Sequence, residues 1–319
     1  MATESRRLGR TALSLTALGF GGGPIGWRDN PGAAADAAAT LARAWDAGVR
    51  YFDTAPFYGF GRSERRIGAF LQGKPRADFV VSTKVGRLVR DTSAASDPIV
   101  FDYTRHGALR SHQESLQRLG LERIDILLIH DIDRWTHGAE QPRRFAEALD
   151  GAYRALVDLK DNGAIGAIGL GVNEWETCRA FADRVPVDCF LLAGRHTLLE
   201  RRATAEFLPF CAERGIGVIV GGPFNSGILA TGAIPGALYN YAAAPAPILA
   251  RVARIEAACA AFGVPLPAAA LAYPLRHPSV TTVIPGPGSP GELAEIARWA
   301  AITIPPALWQ RLAEDAAAA

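Results

Sequence analysis

The feature that most restricts how this chain folds is a repeating alternation. A short apolar run is followed by a stretch with helical spacing, and the unit recurs eight times along the 319 residues. Strands are expected over residues 13–20, 49–52, 79–85, 124–130, 165–173, 187–193, 217–222 and 281–284. Helices are expected over 33–47, 63–71, 107–119, 145–160, 174–184, 205–214, 248–262 and 292–299, several of them stopped by glycine, as at Gly48, Gly120 and Gly215. A polar segment before the first run is expected to form a small hairpin with it, and residues 308–318 are left over as a C-terminal helix.

Strands that are apolar along their whole length, each leading into a helix, belong to a parallel sheet buried on both faces. An open doubly wound sheet would show the same alternation. Eight units without a break in composition fit a closed (β/α)8 TIM barrel better. No linker rich in Pro, Gly or Ser divides the chain, so residues 1–319 read as one α/β domain. Longer inserts follow the fourth strand (131–141) and the seventh (224–247).

A net charge of +2 suggests no nucleic-acid partner. No apolar run has the length of a membrane span, and the first residues lack the apolar core of a signal peptide. Cys178, Cys189, Cys211 and Cys259 lie far apart with no CxxC pair, as expected of reduced thiols in a cytoplasmic protein. The partner implied is a small-molecule substrate.

In a barrel of this kind the reactive residues sit at the C-terminal ends of strands and in the loops that follow. Polar residues collect there. The second strand runs into Asp53, with Tyr58 in its loop; the third ends near Lys84; the fourth ends at His130. A carboxylate so close to an apolar strand needs a cationic or hydrogen-bonding partner. Lys84 meets that need, and its ammonium is expected to lower the pKa of Tyr58 by stabilising the phenolate, with Asp53 holding the lysine charged. His130 would orient a substrate oxygen or help relay its proton. A tyrosine exchanging a proton with a carbonyl or alcohol oxygen is what hydride transfer to or from a nicotinamide requires of a protein.

Asp53, Tyr58, Lys84 and His130, set in FDTAPFYG, STK and LLIHD with GRSE after the tyrosine, resemble the aldo-keto reductase superfamily over essentially the whole chain. The resemblance implies those four as catalytic residues and NAD(P) extended across the C-terminal face without a Rossmann unit. In agreement, Gly19-Phe20-Gly21-Gly22-Gly23-Pro24 and Gly169-Leu170-Gly171 both fail the GxGxxG pattern. It also implies that Asn173 holds the nicotinamide carboxamide. Ala193 stands where a glutamine is usual, and Gly221 or Gly222 where an aromatic usually stacks on the nicotinamide. Pro223, Phe224, Asn225, Ser226, Gly227 and Leu229 match the loop over the pyrophosphate, to which they would offer backbone N–H groups and the Ser226 hydroxyl.

Pro285, Gly286, Gly288, Ser289 and Glu292 match the segment that grips the adenosine half. No basic residue follows in that stretch until Arg298, and Glu292 would repel a 2′-phosphate yet accept a hydrogen bond from a free 2′-OH, which favours NAD over NADP. The alternative for Glu292 is a helix N-terminal acid placed on dipole grounds. Within the superfamily, FNSGILATG, the loop after LLIHD and LLAGRHTLL resemble bacterial aldose 1-dehydrogenases of the L-fucose and D-arabinose type, with pyridoxal 4-dehydrogenase a near relative. The implied reaction is oxidation of an anomeric hydroxyl to a lactone. Trp27, Phe57 and Trp135 would form an apolar wall, and Asp131, Arg134 and His196 would contact sugar hydroxyls. Two other classes stay open: a cofactor-binding regulatory subunit of a channel, and a metal-dependent barrel enzyme, which would need clustered strand-end ligands.

Overall fold

The computed structural model describes residues 4–90 and 98–317. Eight parallel strands form its centre: β1 (Phe20–Gly21), β2 (Tyr51–Asp53), β3 (Val80–Val85), β4 (Ile126–His130), β5 (Ala167–Val172), β6 (Cys189–Ala193), β7 (Gly217–Gly221) and β8 (Val280–Ile284). Each is paired with the next in chain order. The two edges meet through Gly19 N–H to Val283 O (2.9 Å), Val283 N–H to Ala17 O (2.9 Å) and Gly21 N–H to Pro285 O (2.9 Å), so the sheet closes on itself as a (β/α)8 barrel.

Strand parity sorts the side chains. Leu127 and Ile129 of β4 face the surrounding helices, whereas Ile126 and Leu128 point inward with Tyr51, Ala167, Cys189, Leu191, Ile219 and Ile284. Burying each large aliphatic side chain contributes about 1.5–3 kcal/mol. The hairpin Ser5–Arg7/Ser14–Thr16 plugs the bottom, with Leu8 and Leu15 completing the inner cluster. The inward series continues upward two residues at a time: Tyr51 to Asp53, Ser82 to Lys84, Leu128 to His130. At the top of the barrel, parity therefore turns charge inward.

Several expected boundaries shift for identifiable reasons. The run 13–20 divides between the plug hairpin, a bridge at Leu18 and the two-residue β1, because one segment both caps the bottom and closes the barrel. The helix expected over 145–160 starts at Gln141 and contains a π-helical turn, Ala148–Ala152. There Gly151 passes so close to the Tyr103 backbone that a Cβ would lie 2.6 Å from its carbonyl oxygen, and Ala152 N–H bonds that oxygen (2.7 Å). The helix expected over 205–214 breaks at Phe207, before Pro209 in the first turn of Leu208–Arg214. The antiparallel pair Arg87–Val89/Ile99–Phe101 after β3 and the helix Leu266–Ala272 carry no signal singled out in the sequence. The helix Pro306–Ala317 occupies the expected C-terminal position; Met1, Ala2, Thr3 and Ala318 lie outside the described residues. Among the described residues no single helix is long and apolar enough to cross a membrane. All four cysteines are buried and free.

Candidate active site

Asp53 and Lys84 are 2% and 1% exposed. The Lys84 ammonium donates to Asp53 Oδ1 (3.0 Å) and Oδ2 (2.8 Å) and to the Thr54 carbonyl (2.8 Å). Asp53 Oδ1 also accepts from Ser82 Oγ (2.7 Å), which lies 2.8 Å from the Tyr51 hydroxyl. Gly171 of β5 makes room for the lysine stem: a Cβ there would stand 3.1 Å from Lys84 Cε. Burial works against the ammonium, but Asp53 and Tyr58 outweigh it and raise the pKa of Lys84, keeping it cationic.

Tyr58 comes from the loop after β2. Its ring centroid is 4.7 Å from Lys84 Nζ and 6.0 Å from the His130 ring, the two rings nearly perpendicular at 88°. The expected acidic phenol is not what the unliganded protein holds. Burial pushes the Tyr58 pKa up to about 12, exceeding the downward pull of the Lys84 charge and hydrogen bond, while Asp53 pushes it further up. The half-buried residue keeps some solvent access, yet desolvation of the phenolate still wins. Burial, followed by the Lys84 and Arg87 charges, drives the pKa of His130 well below its ordinary value, so its imidazole is neutral. Its Nδ1 is buried without a partner among the described residues, and its Nε2 lies 3.4 Å from Asp131 Oδ2. A neutral imidazole, a phenol and an ammonium thus converge at one barrel mouth.

A sequence profile of the Aldo/keto reductase family matches residues 17–316. The chain belongs to the aldo/keto reductase family. Pyridoxal 4-dehydrogenase of Microbacterium luteolum is 41% identical to it, over 98% of each chain. D-threo-aldose 1-dehydrogenase of a Pseudomonas species is 39% identical, again over 98% of each. Among solved structures, glycerol dehydrogenase from Gluconobacter oxydans superposes with a TM-score of 0.76 at 22% identity, covering 98% of this chain and 95% of its own. That likeness concerns the fold. The chain is an oxidoreductase of this family.

Aldo/keto reductases use nicotinamide cofactors, and the residues present fit one. Asn173, just after β5, donates its backbone N–H to buried Asp133 Oδ2 (2.7 Å), while its carboxamide makes no hydrogen bond within the described chain; the cleft of about 610 Å³ that it lines runs outward past Trp135, Trp175 and Arg202 and includes none of Asp53, Tyr58, Lys84 and His130. The end of β7 is bare backbone: a Cβ on Gly222 (φ +56°) would meet nothing closer than Gly194 N at 3.6 Å. The following loop is internally tied. The N–H groups of Asn225, Gly227 and Leu229 bond the Gly222 and Phe224 carbonyls (each 3.0 Å), so those three are not free for a pyrophosphate as the sequence reading had them. Asn225 is buried, bonding Gly194 O (3.0 Å) and Thr197 Oγ1; Phe224 packs edge-on against Trp299; Leu229 sits in the core. Pro223 precedes this turn, and Ser226 Oγ accepts from Tyr241 N–H (3.0 Å), leaving its own proton to donate.

At the other end of the mouth, Ser289 caps the helix Pro290–Ala300 by accepting from Glu292 N–H (3.2 Å), and Glu292 Oε2 reaches back past the cap to accept from Gly288 N–H (2.7 Å). Glu292 Oε1 pairs with Arg28 Nη2 at 2.9 Å. The expectation of a region without a basic group therefore fails in three dimensions. Arg28, distant in sequence, lies across Gly288, where a Cβ would come 2.7 Å from its Nε; Pro285 and Gly286 run beside Gly21 and Pro24.

Of the expected pocket residues, Trp27 packs edge-to-face on Phe57 and Phe60, and Trp135 is exposed with the Arg195 guanidinium 5.7 Å from its ring. Arg134 is exposed on the same cleft and Asp131 adjoins His130. His196 departs from expectation. It is buried against Thr204 Oγ1 (3.0 Å) and the Tyr273 ring, its pKa drops to about 4 through burial, and none of its contacts is with Tyr58, Lys84 or His130. A polar residue shortly after a strand is expected at the mouth, but here its ring is covered by Thr204 and Tyr273, both contributed by later elements. Sequence reasoning missed Arg87, Tyr103, Asp133 and Tyr241. The first and third lie within three residues of Lys84 and His130, which is the one signal that marks them. Among the described residues no group of three or more His, Cys, Asp or Glu is placed to hold a metal ion.

Proposed function

We propose that this protein is an NAD-linked aldose 1-dehydrogenase that oxidises the anomeric hydroxyl of a sugar to a lactone, with Tyr58 as the general acid/base. The observation that supports it is the Tyr58 phenol held beside a buried, Asp53-anchored Lys84 ammonium and the neutral His130 imidazole. Bound nicotinamide supplies the hydride acceptor. For oxidation Tyr58 reacts as the phenolate, which Lys84, held by Asp53 and Thr54 O, stabilises; it takes the hydroxyl proton of the substrate and becomes the phenol. His130, being neutral, donates a hydrogen bond to the same substrate oxygen without competing for its proton. Asn173 orients the carboxamide, and Trp27, Phe57 and Trp135 form an apolar rim suited to the C–H face of a pyranose. Arg134, exposed at the rim, would contact sugar hydroxyls, whereas the Asp131 carboxylate is buried and held by Arg87.

NAD is preferred on this reading because Glu292 presents a carboxylate acceptor at the adenosine end. Arg28 puts a guanidinium at the same place, so the contrast between NAD and NADP measures which charge dominates. A second reading, oxidation of pyridoxal, rests on the similarity to pyridoxal 4-dehydrogenase; the aromatic rim would stack on a pyridine ring.

Absorbance at 340 nm, followed with NAD or NADP against a panel of aldoses and pyridoxal, separates the readings. Turnover of aldoses with NAD is expected. Pyridoxal turnover alone would favour the second reading, and cofactor binding without turnover would favour a regulatory module. Tyr58→Phe is expected to lower kcat by about 10²–10⁴-fold; an unchanged rate would refute the proton-transfer role.

A further inference from the structure

Three groups in the excursion after β3 surround the corner that follows β4. Gly86 (φ +98°) leaves no side chain between β3 and Tyr103, where a Cβ would fall 2.3 Å from the Tyr103 ring. The Tyr103 hydroxyl lies 2.8 Å from the His130 carbonyl and 3.0 Å from the Asp131 carbonyl, bracing a corner in which Asp131 has φ +48°. Arg87 reaches the other side. Its guanidinium carbon stands 3.4 Å from the Phe57 ring centroid, and its Nη1 donates to Asp131 Oδ2. Phe57 is the residue before Tyr58, and Asp131 the residue after His130. One guanidinium thus joins the two segments that carry the phenol and the imidazole, and its buried Nε has no hydrogen-bond partner among the described residues.

We propose that Arg87 is a positioning residue of the redox site, clamping the Tyr58 segment to the His130 segment and supplying the counter-charge for Asp131. The inference rests on the reading of Tyr58 and His130 as the reacting pair. Planar stacking on Phe57 combined with hydrogen bonding to a carboxylate is a task for Arg and not for Lys. The surrounding charges show why the clamp matters electrically. Asp131 faces Arg87, Lys84 and Tyr103 from β3 and its loop, His130 from the end of β4, Asp133 and His137 from its own loop, Tyr58 from the β2 loop and Tyr241 from the β7 loop. Burial raises its pKa to about 6, with Arg87 the largest influence in the opposite direction. Without Arg87 the buried carboxylate beside Asp133 would take up a proton at still higher pH, and His130 would lose one of the cations that keep it neutral.

The test compares Arg87→Met and Arg87→Lys in the full chain. Histidine NMR of the cofactor-free protein, with His130 assigned through His130→Asn, reads the electrostatic part without any turnover. The protonation midpoint of His130 is expected to rise by about one pH unit or more in Arg87→Met and to return most of the way in Arg87→Lys. In steady state kcat/KM for the alcohol is expected to fall roughly 10²-fold in Arg87→Met, while NADH affinity, read by quenching of protein fluorescence, changes less than about threefold, well below that loss. Arg87→Lys keeps the charge but not the stacked fork and should recover only part of the rate. An unmoved His130 midpoint, or a rate loss matched by the loss of NADH affinity, overturns the proposal. If Arg87→Met does not fold, Asp131→Asn decides instead, read in the direction of carbonyl reduction, which needs no phenolate: it must abolish a fall in kcat/KM below about pH 6 seen in the parent, and persistence of that limb overturns the proposal. Failure of the underlying functional reading looks different, because Tyr58→Phe would then stay active whatever the His130 midpoint does.

Discussion

Replacing Lys84 with methionine tests the site at its most buried point. The substitution keeps the length of the side chain but removes three hydrogen bonds, two to Asp53 and one to the Thr54 carbonyl. Asp53, 2% exposed, would then keep Ser82 Oγ as its one side-chain hydrogen-bond donor among the described residues. Breaking one side of a buried pair costs about 3–5 kcal/mol. With an unfolding entropy of about 2.1 cal/mol/K per residue over 319 residues, that lowers the thermal midpoint by about 4–8 °C. The deficit has a direction in pH. Burial already raises the Asp53 pKa against the pull of Lys84, and losing the lysine raises it further. Above the unfolded-state value near pH 4 the folded variant then binds more protons than the unfolded chain, so its stability falls as pH rises from there towards the folded pKa. The deficit is largest at neutral and alkaline pH and shrinks towards pH 4. The double variant Lys84→Met/Asp53→Leu, with no charge left to bury, should recover most of the stability and none of the activity. Unfolding in urea between pH 5 and 8, alongside turnover at 340 nm, measures both. A single variant as stable as the parent across that range, with activity within tenfold, would refute the reasoning.

Two further outcomes follow from the same geometry. Because the Tyr58 pKa lies at about 12 in the free protein, its phenolate fraction grows about tenfold per pH unit below that value. Alcohol oxidation, which needs the phenolate, should climb with pH up to about 10, while carbonyl reduction, which needs the phenol, should not; rate profiles in both directions decide it. Gly86→Ala, placing a methyl 2.3 Å from the Tyr103 ring at φ +98°, should destabilise the fold by about 2 kcal/mol or more and lower kcat by displacing the brace under His130, as read by calorimetry and steady-state rates.

What the sequence determined by itself is local in origin. The (β/α)8 alternation, the apolar strands and the placement of Asp53, Lys84 and His130 at one end all follow from a period of two along a strand and from where that strand stops. Tyr51 to Asp53 and Leu128 to His130 are two-residue steps, so facing inward at the bottom fixes facing inward at the top. The tertiary structure alone decided the contacts between residues far apart in the chain. Arg28 meets Glu292 across 264 positions and reverses the picture of an adenosine end without a cation. Arg87 meets Asp131 across 44, and the His196 ring is covered by Thr204 and Tyr273. The tyrosine shows the same division in its energetics. A neighbouring ammonium was legible from residue types, but the desolvation that outweighs it depends on every atom packed around the hydroxyl, and no stretch of sequence holds that sum.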